Sequence, residues 1–168
     1  DHKVPGVEFS TGSLGHGLSV GLGIAISMKR NKIKSKSYVL LSDGEMNTGS
    51  TWESIMFAGH HKVDNLIAIV DKNKIQSFGE TKDIINLDPL HEKWESYGWN
   101  TYDIDGHNHL EIKKAFIKAK KFIGKPSVII CNTIKGKGIK EFENDPVWHA
   151  RKLQGKEIFI GKKRLEIK

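Results

Sequence analysis

The chain has 168 residues, of which 38% are hydrophobic and 28% charged, so it is long enough to bury a core and is composed like an ordinary globular domain. Its apolar stretches are far shorter than the roughly 20 residues that cross a bilayer, and no apolar leader opens the chain, so neither a membrane span nor a secretory signal is expected. The formal net charge of +7 would suit a polyanion, but the lysine clusters contain no interleaved aromatic set that stacks on bases, so nucleic acid is not an expected partner.

Cysteine content and length bear on the compartment and on the number of domains. The single Cys131 cannot form an internal disulfide, which indicates a reducing compartment, and we expect a cytoplasmic protein. The length predicts one domain over residues 1–168. Because the chain opens with Asp1 rather than Met, we expect it to be truncated at its N-terminus, and we interpret 150–168, which shows no core pattern, as a divergent tail.

The predicted elements alternate between helices and strands. Continuous apolar runs bounded by turn residues indicate buried strands, and apolar residues at helical spacing indicate helices that cover them. This order predicts an α/β fold, a three-layer sandwich whose mostly parallel sheet is flanked by helices. In chain order we predict a glycine-interrupted helix at 18–28, strands at 38–41 and 66–70 around a helix at 51–61, a helix at 90–97, a strand at 100–104, a helix at 109–122 and a strand at 127–133.

Oxygen-bearing side chains follow two of these strands. Ligands of a parallel sheet bind outside the carboxyl ends of the strands, and Asp43 and Asn73 stand in the turns after the first two. Carboxylate and amide oxygens from neighbouring strand ends suit Mg²⁺, which keeps further positions open for phosphate oxygens. A helix cap by Asp43 and an Asx-turn at Asn73 would use the same residues, so spacing alone leaves both interpretations open.

A glycine-rich segment at 12–17 leads into the first helix. Backbone N–H groups at such a helix start can bind a phosphate, although Leu18 stands where a P-loop requires lysine. Close helix packing through small residues is an equally good interpretation.

Taken together, six segments in colinear order resemble the thiamine-diphosphate-binding N-terminal half of the transketolase family. The resemblance is greatest to the form in which the enzyme is split into two short subunits, and it covers about residues 8–149. Six linked matches are far more specific than any single motif. The matching segments are 10–20, 41–49, 52–53, 57–60, 64–75 and 133–138.

The resemblance implies a set of metal and cofactor ligands. Asp43 and Asn73 match the aspartate and asparagine whose side-chain oxygens bind Mg²⁺ (or Ca²⁺) in this family, and Ile75 matches the residue that adds a backbone carbonyl. Gly44 matches the glycine whose N–H contacts the diphosphate of thiamine diphosphate.

Three further positions follow from the same resemblance. Gly12 and Leu14 match the segment that packs along the cofactor, and His149 matches a catalytic histidine that contacts the diphosphate and the substrate side. Two departures are Ser77 and Phe78, which stand where the family has an Ile and an Asp. The histidine-bearing segments that bind sugar phosphates in this family are absent before residue 8, which implies a truncated chain or a different substrate.

The implied function is that of the N-terminal subunit of a transketolase-like transferase, which moves a two-carbon ketol unit from a ketose to an aldose. The implied partners are a C-terminal subunit carrying the pyrimidine-binding domain, within a homo- or hetero-oligomer such as a heterotetramer, and sugar phosphate substrates. The alternatives are a related thiamine diphosphate enzyme of special-sugar or deoxyxylulose-phosphate synthesis, and a non-catalytic module that binds a partner.

Overall fold

The computed structural model describes residues 3–167. The strands are β1 (Ser37–Ser42), β2 (Leu66–Lys72), β3 (Ile75–Gln76), β4 (Gly79–Glu80), β5 (Asn100–Asp105) and β6 (Ser127–Asn132). The α-helices are α1 (Gly17–Arg30), α2 (Gly49–His60), α3 (Thr81–Ile84), α4 (Leu90–Ser96), α5 (His109–Lys121) and α6 (Lys156–Arg164). Short 3₁₀ segments lie at Gly44–Asn47, Lys140–Phe142 and Pro146–His149.

The central sheet is parallel throughout, with strand order β1-β2-β6-β5. Ala68 of β2 is in register with Val39 on one side and Val128 on the other. The carboxyl ends of all four strands therefore lie at one edge of the sheet, as expected for a parallel sheet. The hairpin of β3 and β4 is antiparallel and separate from this sheet, and it follows β2 directly.

Helices cover both faces of the sheet, which confirms the predicted three-layer architecture. Side chains of α1, α2 and α4 form the larger core against one face, where Trp94 and Ile55 are fully buried. Helix α5 forms a smaller core on the opposite face through Ala115 and Ala119. The sheet residues of the larger core are Val39, Leu41, Leu66, Ala68, Val70, Val128 and Ile130.

Gly21 allows α1 to pack closely on the sheet. A Cβ atom on Gly21 would lie 2.2 Å from Cγ2 of Val39, so the backbone of α1 lies directly on β1. Gly23, two residues further along α1, has no neighbouring atom within 4 Å of the same position and faces outward.

The predicted strands and longer helices are all present, and their ends shift by one or two residues in most cases. The β3–β4 hairpin and α3 were not predicted, because elements of two to four residues carry no periodicity. Helix α6 forms within the segment that we interpreted as a tail without a core pattern. Its buried Gly161 lies against Ile139 and Phe142, so a glycine rather than an apolar stripe makes the contact. Within residues 3–167 no helix is long and apolar enough to span a bilayer.

Candidate functional site

Asp43 lies at the carboxyl end of β1 and is almost completely buried, with 1% of its surface exposed. Its Oδ1 accepts a hydrogen bond from the backbone N–H of Gly44 at 2.8 Å. Its Oδ2 accepts one from the backbone N–H of Lys74 at 2.6 Å and a longer one from the Thr81 hydroxyl at 3.4 Å. No cationic side chain among the described residues forms an ion pair with this carboxylate.

Burial raises the pKa of Asp43 above its usual value, and the neighbouring carboxylate of Asp71 adds to the rise. The hydrogen bonds from Lys74 and Gly44 oppose this effect without cancelling it. The ionised form is therefore stabilised less by the protein alone than it is in water. A bound cation would supply the missing positive charge, so the donor set fits a metal ion.

Asn73 and Ile75 lie on either side of Lys74, whose backbone N–H donates to Asp43, so they belong to the same turn. The Asn73 Oδ1 accepts a hydrogen bond from the backbone N–H of Ile75 at 3.0 Å, and Ile75 begins β3 with 7% of its surface exposed. The structure thus brings together the three residues predicted to hold the metal. The structure also contains the cap by Asp43, on the 3₁₀ segment that follows it, and the Asx-turn by Asn73. These hydrogen bonds do not exclude a metal, because an oxygen that accepts one hydrogen bond can still contact a cation.

Gly44 is closely approached by a residue that no sequence motif singled out. A Cβ on Gly44 would lie 3.3 Å from Cγ of Gln76, so the β3 side chain lies against the glycine predicted to contact the diphosphate. The Nε2 atom of Gln76 is buried and has no hydrogen-bond partner within the part of the chain that the structure describes. Thr81 was missed as well, since its contact with Asp43 spans 38 positions and no local pattern signals it.

Gly12 and Leu14 belong to a loop that joins the site through Gly15. The backbone N–H of Gly15 donates to Oε1 of Glu45 at 3.0 Å, and Glu45 lies two residues after Asp43. Gly12 has open space around it, and 52% of Leu14 is exposed. The loop is therefore held at the same sheet edge as the metal turn, with an apolar side chain facing outward.

His149 is exposed at the end of the 3₁₀ segment Pro146–His149, which packs against β3. The Asp145 side chain begins this segment by accepting a hydrogen bond from the N–H of Val147 at 2.9 Å. Trp148 anchors it, because its ring lies 4.5 Å from that of Phe142. The structure therefore places His149 on the segment beside Ile75 and Gln76, but shows no hydrogen bond linking it to Asp43.

A cavity of about 400 Å³ opens beside Asp43. Its wall includes Lys72, which pairs with Asp88 at 2.5 Å, and also Lys74 and Thr81. Residues 3–167 contain no cluster of three His, Cys, Asp or Glu that could hold a metal by itself. One carboxylate, one amide and one backbone carbonyl leave room for ligand oxygens, which is how Mg²⁺ is commonly bound beside phosphates.

A family comparison identifies the domain. The model of the transketolase thiamine diphosphate binding domain matches residues 1–168. The chain belongs to the transketolase family. The transketolase of Campylobacter jejuni has a solved structure that superposes with a TM-score of 0.90 at 33% sequence identity, covering 98% of this chain and 27% of that one.

Two transketolase-family relatives are similar over most of the chain. An apulose-4-phosphate transketolase subunit of Actinobacillus succinogenes is 44% identical over 165 residues, which is 98% of this chain and 59% of that protein. The 6-deoxy-6-sulfo-D-fructose transketolase subunit SqwG of a Clostridium species is 44% identical over 151 residues, which is 90% of this chain and 55% of that protein. The chain thus spans somewhat more than half the length of these relatives.

Proposed function

We propose that this chain is the thiamine-diphosphate-binding subunit of a split transketolase, a transferase that moves a two-carbon ketol unit from a ketose to an aldose. The observation that carries the proposal is the buried carboxylate of Asp43, which has no cationic side chain paired with it in residues 3–167 and lies against the turn of Asn73 and Ile75. A metal–diphosphate group is the ligand that this arrangement fits.

Each proposed ligand has a separate task. Asp43 and Asn73 would bind Mg²⁺ through side-chain oxygens, and Ile75 would bind it through the backbone carbonyl. Gly44, whose N–H donates to Asp43 Oδ1 in this structure, would exchange that acceptor for an oxygen of the diphosphate. When bound, thiamine diphosphate supplies a thiazolium ring that absorbs the electrons of the broken carbon–carbon bond. The protein's share is to anchor and orient that group at the sheet edge, with Gly12 and Leu14 along its length and His149 on the substrate side.

A second polypeptide completes the proposed enzyme. Both relatives described above are named as subunits and are longer than this chain. We propose that the partner carries the pyrimidine-binding domain, so that the cofactor lies between two chains. The isolated chain should then bind the cofactor weakly and transfer nothing.

The proposed donor is a ketose with an anionic group at its far end. The names of the two relatives describe a sugar phosphate and a sulfonated sugar, both of which are anionic. These names favour the special-sugar alternative. Assays of the reconstituted pair with fructose 6-phosphate and with a sulfonated ketose would separate this alternative from an ordinary transketolase.

Calorimetry tests the cofactor assignment on the chain as it stands. Thiamine diphosphate at millimolar concentration should bind in the presence of Mg²⁺, and EDTA should abolish the binding. Asp43→Asn and Asn73→Ala should each weaken it by at least about tenfold, because the first removes the negative charge that faces the metal and the second removes a ligand oxygen. Glu92→Gln, which changes an exposed carboxylate on α4, is the matched control and should bind like the wild type.

Far-UV circular dichroism should show that both variants remain folded. A wild-type chain that binds no thiamine diphosphate with Mg²⁺, either alone at millimolar concentration or together with a partner subunit, would disprove the cofactor assignment. Binding that is undiminished in both Asp43→Asn and Asn73→Ala would show that the ligand lies elsewhere.

A further inference from the structure

Gly15 is held on both of its backbone groups by side chains from one distant segment. Its N–H donates to the Glu45 carboxylate at 3.0 Å, and its carbonyl accepts a hydrogen bond from the Ser50 hydroxyl at 2.8 Å. Gly15 is buried, although Gly12 and Leu14 just before it are exposed. The loop is therefore attached to the body of the protein at one well-defined point.

The position of Gly15 has no room for a side chain. Its φ of +88° lies in the left-handed region, which side chains disfavour. A Cβ there would lie 2.5 Å from the Ser50 hydroxyl oxygen and 2.9 Å from that of Thr48. The close approach makes both hydrogen bonds possible.

Glu45 is itself firmly placed. It is 7% exposed, and its backbone N–H donates to the Ser42 hydroxyl at 3.1 Å. It lies two residues after Asp43 and one after Gly44, within the 3₁₀ segment that Asp43 caps. One short stretch of chain thus carries a proposed metal ligand, a proposed diphosphate donor and the carboxylate that holds Gly15.

We infer that Glu45 and Ser50 are positioning residues that hold the loop of Gly12 and Leu14 in register with the metal turn. The inference rests on the proposed function, in which that loop packs along the organic part of the cofactor. A loop fixed before binding loses less conformational freedom when the ligand arrives. In this proposal each side chain acts through its hydrogen bond to Gly15.

Amide hydrogen exchange tests the first step without any ligand. The Gly15 N–H should be protected in the wild type and in Glu45→Gln, because the glutamine Oε1 can still accept the hydrogen bond. In Glu45→Ala it should exchange at least about tenfold faster. Glu53→Ala, which removes an exposed carboxylate from α2, should leave the protection unchanged.

Two ligands then separate positioning from general damage. With Mg²⁺ present, Glu45→Ala should bind thiamine diphosphate about tenfold more weakly and inorganic pyrophosphate within about twofold of the wild type. Glu45→Gln should bind both like the wild type. Ser50→Ala keeps the charge and removes only the donor to the Gly15 carbonyl, so it should weaken thiamine diphosphate binding by about threefold. This variant provides the test if Glu45→Ala does not fold.

Three results would overturn the inference: unchanged exchange at Gly15 in Glu45→Ala, equal weakening of both ligands, or a Glu45→Gln variant as impaired as Glu45→Ala. A wild-type chain that binds neither ligand would instead contradict the proposed function, and the exchange data would still report whether Gly15 is held.

Discussion

At the residue scale, the most informative features are carboxylates whose surroundings differ. Asp43 is buried among backbone donors, and its pKa is raised chiefly by that burial. Asp64 accepts hydrogen bonds from the Lys29 ammonium group at 2.9 Å and from the N–H of Gly124 at 3.0 Å. The first carboxylate has no cationic side chain paired with it within residues 3–167, whereas the second is paired with Lys29.

The Asp64 pair yields a prediction about pH. Burial alone would raise the pKa of Asp64, but the hydrogen bonds from Lys29 and Gly124 outweigh it and lower the pKa below its usual value. A lowered carboxyl pKa contributes stability above the unfolded-state value, and that contribution is lost as the pH falls through the folded-state value. Asp64→Asn should therefore reduce the free energy of unfolding by about 1 kcal/mol at pH 7, and by less as the pH falls below about 4.

Denaturant unfolding at the two pH values checks this prediction. Glu8→Gln, which changes an exposed carboxylate before α1, should have little effect at either pH. A difference between Asp64→Asn and the wild type that persists unchanged at low pH would show that charge is not the cause.

At the element scale, the packing of α1 on β1 depends on the absence of a side chain at Gly21. Gly21→Ala should lower the free energy of unfolding by about 1–3 kcal/mol, because its Cβ would overlap Cγ2 of Val39, and this exceeds the gain of about 1 kcal/mol in helix propensity. Gly23→Ala on the same helix meets no atom within 4 Å and should raise the stability by about 0.5–1 kcal/mol.

A double variant identifies the cause of the loss at Gly21. Val39→Ala removes the methyl groups that the new Cβ of Gly21→Ala would strike, so the double variant should be more stable than the sum of the two single changes predicts. Strict additivity in urea unfolding would mean that the contact with Val39 does not decide the cost.

At the scale of the whole molecule, Cys131 reports whether the sheet opens. It lies on β6 between its two neighbouring strands, and burial raises the pKa of its thiol to about 11, with Asp71 and Asp103 adding to the effect. From the ordinary value of 9.0 this lowers the thiolate fraction at pH 8 by about 100-fold. A thiol reagent should therefore label the native protein at least about 100-fold more slowly than the unfolded chain.

Labelling followed across a urea series provides the measurement. The rate should rise together with the loss of circular dichroism, because the thiolate becomes accessible when the sheet unfolds. Rapid labelling in the absence of urea would contradict the raised pKa and partly buried position of this thiol.

How well the fold and the site could be predicted depended on how far apart in the sequence the contacting residues lie. The strands at Leu66–Lys72 and Ser127–Asn132 were recognisable because continuous apolar runs are typical of strands buried on both faces. Asp43 and Asn73 were recognisable as oxygen-bearing residues after two strands, and Ile75 was recognisable only through the family resemblance. The structure brings Asp43 against the turn that contains Asn73 and Ile75. Their binding of a metal stays a prediction that the calorimetric experiment will test.

Contacts between distant segments were not predictable. Gln76 against Gly44, Thr81 on Asp43 and Glu45 on Gly15 each join positions about 30 or more residues apart. No local periodicity encodes such a pair. Helix α6 was missed for a related reason, since a glycine and an ion pair between Arg164 and Glu141 attach it instead of an apolar stripe.

The sequence by itself determined the α/β class, the order of the strands along the chain and the family, because hydrophobic periodicity and linked motifs are local properties that survive without coordinates. Only the tertiary structure decided that the Asp43 carboxylate is buried without a cationic partner within residues 3–167 and that Gly15 is held by Glu45 and Ser50. Burial and hydrogen-bond geometry depend on which distant segments meet at the sheet edge, and that meeting exists only once the chain has folded.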